Sequence, residues 1–71
     1  METIKIKEEY IKLDSLLKFA SLVSSGGEAK QVIADGLVSV NSEICTQRGK
    51  KIRNNDVVEF MNEAVKVQSE G

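Results

Sequence analysis

Residues 24–41 encode a short helix with both of its ends marked, leading directly into a strand. Ser25 and Glu28 have the spacing of a capping box, in which the hydroxyl accepts a helix N–H and the carboxylate reaches back toward the cap. Gly36 stands where a helix needs a residue of positive φ in order to stop. From Leu37 the apolar period changes to two, so the sequence predicts a helix ending at Gly36 and a strand up to Val40.

The flanking segments supply a second helix and further strands. Residues 3–7 alternate Ile with Lys as an edge strand does, and residues 10–12 extend or restart that strand. From Leu13 the apolar period is helical, so a first helix is predicted up to about residues 22–24. A tight turn is predicted at Asn41 and Ser42. Later strands are predicted at 43–46, 57–60 and 65–67, with an irregular basic loop at 47–52 between the first two of these.

These elements predict an α+β fold, in which two short helices pack on one face of a small antiparallel sheet of four to five strands. Seventy-one residues suffice for one domain, 1–71, with a small core. The side chains expected to be buried together are Leu16, Leu17, Val32, Ile33, Val40, Val58 and Phe60.

The net charge of −1 conceals a separation of charge along the chain. Acidic residues gather near the two ends, whereas the segment 44–55 holds four cations and no acid. These cations are Arg48, Lys50, Lys51 and Arg53. The sequence therefore predicts a basic patch that the mean charge does not reveal.

Residues for enzyme chemistry are nearly absent. The chain has no His and one Cys, which excludes Cys–His nucleophiles and His- or multi-Cys zinc sites, and it has no Walker or dinucleotide-binding motif. We therefore expect a non-catalytic binding module without cofactor or metal. The lone Cys45 is expected to be a passive thiol and fits a reducing, cytoplasmic setting, and no signal peptide or membrane span is predicted.

Two segments are candidates for holding phosphate. Ser25, Gly26 and Gly27 open a helix, where free N–H groups and the helix dipole favour anions. The alternative is simple capping, with the glycines relieving the tight corner, and Glu28 would oppose an anion. The loop from Arg48 to Lys51 places flexible cations around a glycine, so that its backbone can approach a chain of phosphates. The alternative for this loop is a solvated hairpin connection.

Five blocks of the sequence together resemble the S-four-type RNA-binding domain, also called the αL motif. In order along the chain they are residues 12–18, 24–30, 36–41, 48–52 and 56–60, and the resemblance covers about residues 11–60. The run Ser-Gly-Gly-Glu-Ala-Lys at the second helix resembles that of small stand-alone bacterial members. The resemblance implies binding of structured RNA, ribosomal or transfer, through the two helices and the following loop, with the ribosome as a further candidate partner.

Many members of that family carry arginines at the start of the second helix, where this chain has Gly26, Gly27 and Glu28. The resemblance then leaves Lys12, Lys18 and Lys30 to bind RNA together with the basic loop. We expect Arg48, Lys50, Lys51 and Arg53 to share one face with Lys18 and Lys30.

Two other functions are compatible with parts of the sequence. A protein-interaction adaptor with the same fold would explain the acidic pI of about 5.4. A β-grasp sulfur carrier resembles residues 38–43 and 56–60, but such carriers require a terminal Gly-Gly, and this sequence ends with a single glycine. For the RNA-binding module we expect a monomer.

Overall fold

The computed structural model describes residues 1–71 as two helices and seven strands. In chain order these are β1 (Glu2–Ile6), β2 (Tyr10–Lys12), α1 (Leu13–Phe19), α2 (Gly26–Ala34), β3 (Val38–Val40), β4 (Glu43–Ile44), β5 (Lys51–Arg53), β6 (Val57–Phe60) and β7 (Glu63–Ser69). Neither helix is long and apolar enough to cross a membrane.

The strands form a five-stranded sheet in the order β1-β7-β6-β3-β4 and a separate two-stranded sheet of β2 and β5. The predicted α+β class is confirmed, but two details differ from the prediction. First, β1 pairs with β7 in parallel, so the sheet is mixed; these strands lie at opposite ends of the chain, and no local turn fixes their direction. Second, part of the predicted loop 47–52 belongs to β5, which pairs with β2.

The two ends of α2 are capped as the sequence predicts. The Ser25 hydroxyl oxygen accepts the N–H of Glu28 at 3.1 Å, and the Glu28 carboxylate accepts the N–H of Ser24 at 2.8 Å. At the other end Gly36 has φ 73°. The N–H of Gly36 donates to the carbonyl oxygen of Ile33, and that of Leu37 donates to Val32. This pair of hydrogen bonds is the Schellman motif, which terminates the helix.

Helix α1 ends earlier than predicted, at Phe19, by the same motif. Ser21 has φ 60°, its N–H donates to the carbonyl oxygen of Lys18, and the N–H of Leu22 donates to Leu17. Because the left-handed position is filled by Ser21 and not by a glycine, the sequence carried no stop signal there. Six residues, 20–25, therefore separate the helices.

One buried cluster joins the helices to both sheets. Its fifteen members are Ile4, Ile6, Leu13, Leu16, Leu17, Val23, Ala29, Ile33, Val38, Val40, Ile52, Val58, Phe60, Val65 and Val67. Six of the seven predicted core residues belong to it, and the seventh, Val32, packs against it while half-buried. Ile52 is fully buried, so the short strand β5 is anchored to the core although its two other side chains are exposed.

Gly36→Ala is expected to destabilise the protein by more than about 1 kcal/mol. The strain of an alanine at φ 73° in the folded protein exceeds the stabilisation that alanine brings by restricting the unfolded chain. Space is not the obstacle, since the nearest atom to an added Cβ, Cγ2 of Ile44, lies 3.7 Å away. Thermal and urea unfolding would measure the change. Ser21→Gly is the complementary variant and should stabilise; a neutral Gly36→Ala would contradict this account of the helix end.

Candidate nucleic-acid interface

The two-stranded sheet of β2 and β5, here called the ribbon, gathers three cations on one face. Its register pairs Tyr10 with Arg53, Ile11 with Ile52 and Lys12 with Lys51. Directly paired residues of antiparallel strands point to the same side. The isoleucines therefore face inward, toward the core, and the outer face carries Tyr10, Lys12, Lys51 and Arg53.

Tyr10 organises two of these cations. The Nζ of Lys51 lies 4.9 Å from the centroid of the Tyr10 ring, and the Cζ of Arg53 lies 5.6 Å from it. Both distances are within the range of cation–π attraction, which contributes about 0.5–1 kcal/mol at exposed sites. The ring thus favours positions of these two long side chains that keep their charges on the outer face of the ribbon.

Few carboxylates oppose this charge. The salt bridge between Arg53 and Glu9, at 3.4 Å, is the single ion pair of the structure. Its side chains are 51% and 78% exposed, so solvent screens the pair and it contributes little to stability. A competing polyanion could therefore displace Glu9 at small cost. Lys12 and Lys51 have no carboxylate within 4.0 Å.

The basic loop is fixed against the start of α1 by its backbone. The N–H of Leu13 donates to the carbonyl oxygen of Lys50 at 2.9 Å, and that of Asp14 donates to Arg48 at 3.1 Å. A helix start has unpaired N–H groups, and Lys12, at the cap position, offers no side-chain acceptor. The loop supplies the missing acceptors, so exposed Arg48 lies beside the end of the ribbon.

Lys50 lies in different surroundings. It lines a depression of about 400 Å³ together with Glu43 and Asp56. The Asp56 carboxylate is engaged there, since it accepts the N–H of Arg53 at 2.8 Å and the side-chain amide of Asn41 at 3.0 Å. These bonds tie the turn before β6 to the end of the ribbon. The acids around Lys50 make it less available for phosphate than Lys51.

A second group of cations borders a groove of about 760 Å³ between the β1–β2 connection and the helices. Lys18 of α1 lines it together with Lys5 and Lys7, and so does Gly26, the first residue of α2. The Cδ of Lys18 lies 4.0 Å from the position that a Cβ on Gly26 would take. Ile11 also lines the groove, so the groove lies on the inner side of β2, away from the outer face of the ribbon.

The predicted site residues are thus distributed over several places. Lys12, Lys51 and Arg53 come together on the ribbon with Arg48 beside them, Lys18 and Gly26 border the groove, and Lys50 lines the depression. Ser25 caps α2, and Gly27 follows it in the first helical turn. Lys30 is exposed on α2 and lines neither the ribbon nor the groove.

Sequence reasoning missed three residues of these surfaces. The sequence predicts Tyr10 only as a strand residue, because its contact with Lys51 and Arg53 depends on a pairing across more than forty residues. The sequence predicts Lys5 and Lys7 only as the solvent side of an edge strand. The alternation with Ile4 and Ile6 did indicate that both lysines point away from the core, but nothing local indicated that α1 lies opposite them.

A family model described as the S4 domain matches residues 4–68. The chain belongs to the S4 domain family. It is 43% identical over 57 residues to "Probable ribosome maturation protein RlbA" of Bacillus subtilis (strain 168), covering 80% of each chain.

Two solved structures resemble this S4 domain. The solution structure of YbcJ from E. coli, described as revealing an αL motif involved in RNA binding, is 33% identical, with a TM-score of 0.74. The match covers 96% of this chain and 87% of YbcJ. The 30S ribosomal protein S4e from Thermoplasma acidophilum is 25% identical, with a TM-score of 0.68 over 82% of this chain. This S4 domain spans only 31% of that longer protein.

Proposed function

We propose that this S4 domain is a non-catalytic RNA-binding protein that recognises structured ribosomal or transfer RNA in the cytoplasm and serves in ribosome assembly or translation. Family membership supports the proposal, as does the likeness to a relative named for ribosome maturation and to a structure described by its RNA-binding motif. The domain would act as a monomer without cofactor.

The observation that carries the proposal is the outer face of the ribbon, where Tyr10 restrains two of three cations and a single carboxylate opposes them. Double-helical RNA offers proteins mainly phosphates and 2′-hydroxyls. A small, pre-arranged set of cations suits such a target, since it recognises the spacing of phosphates and not the bases. Binding would therefore depend on the shape of the RNA, with little preference for sequence.

The ten site residues predicted from the sequence are expected to contribute unequally to RNA binding. Lys12, Lys51 and Arg53 would contact phosphates directly, and Arg48 would extend the contact along the RNA. Lys18, Gly26 and Gly27 would add contacts at the helix side, with Ser25 holding the start of α2. Lys30 and Lys50 would contribute only if the RNA wraps further around the domain.

Of the other functions, the sulfur carrier loses its support because the family match covers nearly the whole chain. The adaptor keeps the same fold and differs only in its ligand. It predicts that the cations of the ribbon can be removed without effect on RNA recovered from cells.

We expect crosslinking in cells, followed by sequencing of the bound RNA, to recover ribosomal or transfer RNA. Lys51→Ala should lower the yield about fivefold, the effect of one phosphate contact near physiological salt. Lys66→Ala is the matched control, because Lys66 is an exposed lysine on β7, outside the ribbon and the groove. Equal yields from both variants, or recovery of no RNA, would refute the proposal and favour the adaptor.

A further inference from the structure

The groove between the β1–β2 connection and the helices combines an apolar floor with a cationic rim. Ile6 and Ile11 contribute apolar surface, and Lys5, Lys7 and Lys18 contribute positive charge. Its volume of about 760 Å³ lies within the range of small-molecule sites, about 300–1,000 Å³. No segment of the chain covers it.

The three lysines of the rim are free to bind an anion. None has a carboxylate within 4.0 Å, since the single ion pair of the structure lies on the ribbon. The groove contains two acids, Glu8 and Asp14. The Asp14 carboxylate accepts the N–H of Ser15 at 2.8 Å. Three lysines against these two acids give the groove a formal charge of +1, which favours a ligand carrying phosphate.

An exposed aromatic ring completes the groove. Phe19, the last residue of α1, lines it and is 62% exposed, whereas the other phenylalanine, Phe60, is 6% exposed in the core. An exposed ring beside free cations is the arrangement by which proteins bind unpaired nucleotides, since the base stacks on the ring and the phosphate binds the cations.

We propose that this groove binds one unpaired nucleotide of the RNA partner, with its base against Phe19 and its phosphate among Lys5, Lys7 and Lys18. This inference rests on the proposed RNA-binding function and extends it, because the ribbon recognises paired RNA by shape alone. The groove lies on the inner side of β2, so the two surfaces bind separate parts of the RNA. The RNA that would occupy both the ribbon and the groove is a paired segment with an unpaired nucleotide beside it.

The probes are a single-stranded tetra-adenylate and a tetramer of the same sugar–phosphate backbone without bases. Binding is followed by the amide shifts of ¹⁵N-labelled protein. Tetra-adenylate should shift the amides of Ile6, Lys7, Phe19 and Gly26, and the abasic tetramer should bind more weakly. Phe19→Ala should weaken tetra-adenylate binding about 5- to 150-fold, the range for one stacked base. Phe19→Tyr keeps a stacking ring and should bind like the parent.

A blunt RNA duplex, titrated into the same samples, separates this inference from the proposed function. The affinity for the duplex should be the same in the parent and in Phe19→Ala. Thermal unfolding of the Phe19→Ala protein reports separately any loss of folding. The nucleotide site is refuted if tetra-adenylate shifts only the ribbon, if the abasic tetramer binds equally well, or if Phe19→Ala has no effect. Each of these results leaves duplex binding by the ribbon intact, whereas loss of duplex binding by the parent refutes the proposed function itself.

Discussion

Leu17→Ala and Ile33→Ala should each lower the free energy of unfolding by about 2–5 kcal/mol. Both side chains are fully buried, and they belong to the one cluster that joins α1 and α2 to the sheets. Truncation removes their buried apolar contacts and leaves a cavity that the surrounding side chains fill only in part. Because domains of this kind are stable by only about 5–15 kcal/mol, each variant is expected to be marginally folded.

The matched control for the leucine is Leu37→Ala. Leu37 is 54% exposed, so the same change of side chain removes little buried surface. Urea unfolding of the three variants and the parent measures the differences directly. Midpoints for Leu17→Ala and Ile33→Ala as high as that of Leu37→Ala would show that the assigned helix faces are wrong.

Replacing Lys12, Lys51 and Arg53 together by alanine should reduce affinity for structured RNA about 10²- to 10³-fold at 0.1 M salt. Each cation that neutralises a phosphate releases counterions and so raises the binding constant. The factors for three such contacts multiply to this range. All three side chains are exposed on the outer face of the ribbon, so the replacement should leave the fold intact. Anchoring of the ribbon depends on Ile52, which the variant retains.

The control for this variant must separate local contact from net charge. Lys66→Glu reverses a charge on the five-stranded sheet and leaves the ribbon unchanged. If affinity falls as far in Lys66→Glu as in the triple variant, the loss reflects overall charge and not phosphate contact. We expect the control to lose only a small part of its affinity.

The elements with local signals were predicted well. The capping box, Gly36 and the change of period determined α2 and β3 within a few residues of their bounds. The turn at Asn41 and Ser42 was also predictable, because Asn tolerates positive φ better than most residues. Both residues adopt positive φ in the structure, of 51° and 72°. Where the chain marks an element within its own few residues, sequence reasoning is sufficient.

Long-range pairing was not predictable in the same way. Residues 51–53 are too short to show a strand period, and their partner β2 lies about forty residues away. The pairing follows from burial of Ile52, which depends on the assembled core. The parallel direction of β1 is likewise set by its place beside β7 and not by any turn.

The exposure of the cations followed from the sequence, but their arrangement did not. The four cations of the acid-free segment 44–55 are all exposed, but the grouping of Lys51 and Arg53 around Tyr10 required the ribbon. Lys18 lines the groove and not the ribbon, which likewise could not be told without the fold. Charge is visible along the sequence, whereas the spacing that determines what the charges can bind is a property of the fold.

The most direct test of the account is a salt titration of binding to a folded ribosomal or transfer RNA fragment. Four phosphate contacts, from Lys12, Arg48, Lys51 and Arg53, predict that log affinity falls against log salt with a slope of about −3 to −4. Lys51→Ala should make the slope shallower by about one unit without changing which RNA is preferred. A slope near zero in the parent, or equal slopes in the parent and Lys51→Ala, would contradict RNA binding through the ribbon.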